Sequence, residues 1–139
     1  MINACAQSNH EPPLASVSRA RRARGKRNHL AGLAAEERVA QVYRRAGYRL
    51  RETRWRGAAG EIDLIFDGAD DLIFVEVKSS SSLDTALAMV TPTKAARLLN
   101  AATEYLGTTP RGLATFSRID VACMDAIGEV TVLENAIGH

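Results

Sequence analysis

Gly60-Glu61-Ile62-Asp63-Leu64-Ile65-Phe66 and Leu72-Ile73-Phe74-Val75-Glu76-Val77-Lys78, joined across the turn Asp67-Gly68-Ala69-Asp70, decide the fold of this chain. Each run has strand length and is apolar enough for a sheet interior, and the Asp-Gly pair between them is a hairpin signal, so the two predict an antiparallel hairpin. Side chains alternate across a strand. Glu61, Asp63 and Ile65 therefore share one face and Ile62, Leu64 and Phe66 the other; in the second run Leu72, Phe74, Glu76 and Lys78 oppose Ile73, Val75 and Val77. Each strand has one apolar face and one mixed face. If register joins the mixed faces, Asp63, Glu76 and Lys78 form one cluster, with Lys78 about 7 Å beyond Glu76. Interior carboxylates need partners, because burying an unpaired charge costs several kcal/mol. One ammonium leaves the cluster negative, and a divalent cation would balance it. The same residues also fit a solvated sheet face or a structural ion-pair cluster.

Upstream, Asn28 can cap a helix from about His29 to Ala46, stopped by Gly47. Glu36 shares its core-facing stripe with Leu33, Val39, Ala40 and Tyr43, so it needs either an arginine partner such as Arg54 or Arg56, or a role beside Asp63 and Glu76. Tyr48 to Arg56 reads as a first strand, and Gly57-Ala58-Ala59-Gly60 as a small-residue turn that permits close approach. Downstream, Ser79 to Val90 has no clear period and predicts a mobile loop. Thr91 and Pro92 then start a helix that Gly107 ends.

Lys94 and Arg97 lie in that helix's first two turns, where a cation opposes the helix dipole and gains nothing locally. They are candidate phosphate contacts, as is Arg56. Thr115 to Met124 and Glu129 to Glu134 complete the sheet, with Arg118 and Asp120 as an internal ion pair supporting the site from an adjacent strand. Trp55, the one tryptophan, reads as core. The order helix, three strands, helix, two strands is an α/β fold with a single mixed sheet of about five strands and helices packed on it.

A chain of 139 residues accommodates one domain. Six of its 18 Lys and Arg residues fall within residues 1–28 (Arg19, Arg21, Arg22, Arg24, Lys26, Arg27) against a single acid, Glu11, so a basic N-terminal segment precedes an acidic body. With Pro12-Pro13 and few large apolar residues, 1–28 is expected to be a disordered tail, preceding a domain over 29–139. Such a tail suits either a nucleic-acid arm or a solubilising extension. Cys5 and Cys123 have neither zinc-site spacing nor a disulfide framework, no apolar run is long enough to span a membrane, and no signal-peptide core is present. A cytoplasmic protein without membrane partners is expected.

The ordered set Gly32-Leu33-Ala34-Ala35-Glu36, Gly47-Tyr48-Arg49, Trp55-Arg56, GEIDLI, FVEVK, Thr91-Pro92-Thr93-Lys94 and Arg118-Ile119-Asp120-Val121 resembles the YraN-like family of small bacterial proteins. Asp63 followed by Glu76-Val77-Lys78 is similar to the PD-(D/E)XK nuclease superfamily. The resemblance implies a restriction-endonuclease-like fold related to Holliday-junction resolvases, and a Mg²⁺- or Mn²⁺-dependent endonuclease acting on DNA, including branched or junction DNA. It implies Asp63, Glu76 and the Val77 carbonyl as metal ligands with Glu36 completing the set, and Lys78 as the residue that orients the attacking water. Two positions depart from the family pattern: Ser79 to Ser82 hold no Arg after the Glu-x-Lys, which removes a phosphate contact, and Thr53 stands where Asn is common. A nuclease-fold binder with little turnover is the alternative. The residues alone do not separate DNA from RNA, and a homodimer is the candidate assembly if two symmetric cuts are made.

Overall fold

The structure, a computed structural model, describes residues 14–138. In chain order they form α1 (Leu14–Arg45), β1 (Arg49–Arg56), β2 (Glu61–Asp67), β3 (Asp71–Ser79), α2 (Leu83–Ala88), α3 (Pro92–Leu106), a 3₁₀ turn (Gly112–Ala114), β4 (Phe116–Met124) and β5 (Val130–Ile137). The five strands make one sheet in the order β1-β2-β3-β4-β5. Strands β1/β2, β2/β3 and β4/β5 pair antiparallel, whereas β3 and β4 run parallel from Asp71↔Phe116 to Ser79↔Met124. A parallel pair needs a long crossover, and α2 and α3 supply it. The predicted α/β class, mixed sheet and flanking helices are all present, and their order fits a nuclease-like fold.

Two compact units divide the chain, residues 1–31 and residues 32–139. The sheet, α2, α3 and every site residue below belong to the second. The first helix begins at Leu14, not at His29, so Asn28 lies within it and not at its start. Alanines and arginines fill residues 19–24 and favour helix. Of the tail expected to be disordered, 14–28 therefore carry helical backbone, and 1–13 lie outside the described residues.

Two apolar layers cover the sheet. Val39, Ala40 and Tyr43 of α1 pack with Leu64, Phe66, Ile73, Val75 and Ala122; Tyr43 stacks on Phe66 at 4.5 Å between ring centroids. Leu98, Ala101, Ala102, Tyr105 and Leu106 of α3 pack with Ile62, Ile65, Leu72, Phe74 and Ile119, and Trp55 joins them edge-on to Tyr105. Each large apolar side chain fully withdrawn from water contributes about 1.5–3 kcal/mol.

The alternation predicted for β3 holds, but that of β2 breaks. Ile62 lies in the α3 layer with Ile65, while Leu64 and Phe66 lie in the α1 layer. The break falls at Asp63. On β1, between the partners of Ile62 and Leu64, Arg54 has a left-handed backbone with φ of 46°. Beyond it Trp55 and Ile62, which pair with each other, both pack with the α3 layer.

The expected mobile loop after β3 is instead built. Ser82 caps α2 by accepting the Thr85 N–H at 3.1 Å, and Ala86 is fully buried. The Cys123 thiol lies 3.5 Å from each of the Ser80 and Ser82 carbonyls. As expected, Thr91 caps α3, accepting the Lys94 N–H at 3.2 Å, with Pro92 at its first position and Gly107 at its end. Strand β5 continues to Ile137, past its expected end at Glu134, through a bulge at Asn135, whose φ of 53° asparagine tolerates.

Candidate functional site

The β2/β3 ladder is regular from Asp67↔Leu72 to Leu64↔Val75 and stops there. One residue further, a side chain replaces the ladder: Asp63 Oδ2 accepts the Val77 N–H at 2.8 Å. A carboxylate that takes over a backbone bond fixes its own position and opens the strands at that point. The Asp63 carboxyl also lies close enough to the Glu76 carboxyl for that residue to perturb its ionisation, so the mixed faces converge as the strand pattern predicts.

Glu76 is 2 % exposed. Its Oε2 faces Lys78 Nζ at 3.5 Å and Lys94 Nζ at 3.3 Å, yet makes a hydrogen bond to neither. It is a buried acceptor with charge nearby and no directed partner. Groups of this kind are rare in folded proteins and call for a reason.

Burial pushes the Asp63 carboxyl up from 3.8 to about 8; the hydrogen bond to Glu76 and that residue's charge add to the rise, the Val77 N–H opposes it, and Glu36 contributes least. At neutral pH the pair therefore retains a proton. Between about pH 4 and pH 8 the folded chain holds a proton that the unfolded chain has released, so stability should fall as pH rises through that window. Asp63→Asn removes this proton. Its unfolding free energy, followed by denaturant titration at several pH values, should decline less over the window than that of the wild type; equal slopes would show that Asp63 ionises normally.

Glu36 reaches Arg54, its Oε1 lying 3.6 Å from the guanidinium, which is one of the two partners expected for it. It stands close enough to act on Asp63 electrostatically. Among the described residues no three His, Cys, Asp or Glu side chains form a ready metal cage. Arg56 pairs with Glu61 at 3.1 Å beside the turn that opens β2, and both are taken up there. Arg97 is exposed, with its Cβ and carbonyl next to Gly60. Val77 touches the site through its N–H.

Arg118 and Asp120 do form the expected ion pair, at 2.9 Å, but not beside the carboxyl site. Asp120 lies level with Val75 and takes the Tyr43 hydroxyl at 2.7 Å, whereas Glu76 lies level with Val121 and faces α3. The pair is on the opposite sheet face, one residue out of phase with Glu76. It supports the packing of α1 and leaves the site to Lys94.

Sequence reasoning placed Lys94 on a phosphate and missed its approach to Glu76. The one available signal was an ammonium in the first turn of a helix, where the dipole opposes it. Glu104 was missed altogether: it accepts the Ala58 and Ala59 N–H groups at 3.1 and 3.2 Å and clamps the turn before β2. A Cβ at Gly57 would stand 2.5 Å from Glu104 Oε1 and from the Trp55 ring. The close approach predicted for this turn is thus made by the protein's own side chains.

A mixed five-stranded sheet whose central hairpin splays around two carboxyls and a lysine defines the class of protein: an α/β domain with a nuclease-like element order. The chain belongs to the uncharacterised protein family UPF0102, whose family model matches residues 35–124. It is 47 % identical over 116 residues to a UPF0102 protein of Ruegeria pomeroyi, covering 84 % of this chain and 94 % of that one. A UPF0102 protein of Cereibacter sphaeroides is 46 % identical over 112 residues, 81 % of this chain and 96 % of its own. One from Dinoroseobacter shibae is 43 % identical over 122 residues, 88 % and 91 % of the two chains. These names state a family and no activity. Among the described residues no helix is long and apolar enough to cross a membrane.

Proposed function

We propose that this protein is a divalent-metal-dependent endonuclease that hydrolyses phosphodiester bonds in DNA. One observation carries the reading: the buried Glu76 Oε2 has no hydrogen bond and lies beside a second carboxyl, that of Asp63. Two hard carboxylate oxygens suit Mg²⁺ or Mn²⁺, since Mg²⁺ is usually bound by one or two carboxylates and otherwise by water and phosphate. Asp63 and Glu76 would hold the ion, with the Val77 carbonyl and Glu36 as further donors. When bound, it would supply a water of lowered pKa and offset charge on the attacked phosphate.

The remaining work falls to this chain's own groups. Lys78, 3.5 Å from Glu76 Oε2, orients the attacking water and donates to the phosphate. Asp63 would release its proton to solvent on holding the ion, because a nearby cation favours the charged carboxylate. Arg97 and the basic residues of 1–28 add sequence-independent attraction to the DNA backbone. Arg56 is the third candidate phosphate contact once released from Glu61.

A second reading, a nucleic-acid binder with little turnover, draws on a specific observation. Glu76 Oε2 already faces two ammonium groups, which offset its charge without any metal. Labelled linear, nicked and branched DNA incubated with the purified protein in Mn²⁺ or in EDTA separates the two. The endonuclease should cut in Mn²⁺ alone and leave 5′ phosphates. DNA bound equally in EDTA and never cut would establish the binder.

A further inference from the structure

We propose that Lys94 is a displaceable counterion of the carboxyl pair, one that faces Glu76 in the free protein and moves onto a backbone phosphate of bound nucleic acid, so that phosphate and divalent cation enter the site together. The inference rests on the proposed metal-dependent reading and adds an order of assembly to it.

Three features converge on Lys94. The two ammonium groups at Glu76 Oε2 come from different elements, Lys78 from β3 and Lys94 from α3, and neither is held there by a hydrogen bond. Their freedom to leave differs. The Lys78 side chain is 20 % exposed and that of Lys94 is 39 % exposed, so Lys94 can reach solvent while its backbone stays fixed by the Thr91 cap. The first turn of α3 also carries partial positive charge, which repels an ammonium and attracts a phosphate. An anion arriving there gives Lys94 a better partner than it has at a buried oxygen without a directed bond.

The consequence is electrostatic. A divalent ion at Glu76 and an ammonium 3.3 Å from the same oxygen repel each other. While Lys94 stays, it lowers the affinity of the pair for metal; once a phosphate draws it off, that opposition ends. Binding of nucleic acid and of metal should then favour each other by one common factor.

The test uses the full chain and measures binding alone. Mn²⁺ affinity, read from the electron paramagnetic resonance signal of free Mn²⁺, should be at least about tenfold tighter in Lys94→Gln than in the wild type, the scale on which one neighbouring charge alters a carboxylate's hold on a cation. Lys94→Arg keeps the charge and should stay near the wild type. In parallel, Ca²⁺ should tighten binding of a fluorescent DNA duplex to the wild type by a larger factor than to Lys94→Gln. Equal or weaker Mn²⁺ binding by Lys94→Gln, a Lys94→Arg constant matching that of Lys94→Gln, or equal Ca²⁺ factors would overturn the role of Lys94 and leave the metal site standing. Failure of both wild type and Lys94→Gln to bind Mn²⁺ would instead remove the metal-dependent reading, and this inference with it.

Discussion

Lys78→Ala should lower the rate of DNA nicking by about 10²–10⁴-fold, the range typical of losing a positioned proton-handling group, while the protein stays folded and still binds metal. The side chain stands near the end of β3 and is partly exposed, so its truncation opens little buried volume. It also takes a positive charge away from Glu76, so the carboxyl pair should hold a divalent ion no less tightly than before. Asp63→Ala should behave differently, losing metal and turnover together. It deletes one of the two converging carboxyls and the acceptor of the Val77 N–H.

Metal-dependent thermal shift and nicking rate, measured on both variants, check this contrast. An ion present at 100 times its dissociation constant should stabilise the wild type and Lys78→Ala by about 2.7 kcal/mol and Asp63→Ala scarcely at all. Should Lys78→Ala unfold while the wild type cuts nothing under any metal, the cluster is a structural ion pair and the enzyme reading falls.

The largest loss of stability is expected on the other face of the sheet. Asp120→Ala should destabilise the fold by about 3–5 kcal/mol, the cost of breaking a buried charge network by removing one partner. Asp120 has no exposed surface and accepts four hydrogen bonds from three residues: the Tyr43 hydroxyl at 2.7 Å, Arg118 Nε and Nη2 at 2.9 and 3.3 Å, and the Asn135 N–H at 2.9 Å. Its loss leaves the Tyr43 hydroxyl and the Asn135 N–H without this acceptor, at the bulge where β5 bends. Arg118 would keep Tyr48, Asp71 and Glu134, at 3.1, 3.8 and 3.5 Å, which limits the cost to the lower half of that range. Urea denaturation of Asp120→Ala and Asp120→Asn measures it. Asparagine retains one acceptor oxygen and should recover part of the loss; a change under about 1 kcal/mol for alanine would mean that the network adds little beyond packing.

Strand identity, the β2–β3 hairpin and the convergence of Asp63 with Glu76 were legible because they depend on local chemistry. An Asp-Gly turn sets the hairpin, and a period of two sets the face, so residues distant in sequence need no knowledge of the remaining fold to be placed together. The α3 boundaries followed similarly from Thr91, Pro92 and Gly107. Where alternation broke at Asp63, pattern reasoning failed for Ile62. The break lies opposite Arg54, a residue of another strand in a conformation no sequence rule assigns to arginine.

By itself, then, the sequence determined the α/β class, the mixed sheet, and that Asp63, Glu76 and Lys78 would meet if register joined the mixed faces of their strands. Family membership was also in reach, through the ordered motifs. Only the tertiary structure decided which cations reach those carboxyls and which do not. Lys94 arrives on a crossover helix, and its distance to Glu76 depends on how α3 packs over Leu72, Phe74 and Ile119. The Arg118–Asp120 pair departs to the opposite face because parallel register sets Asp120 level with Val75. Register between strands and the docking of a helix are long-range choices, made by the packing of the whole core, and a charge's partner is known only after they are made.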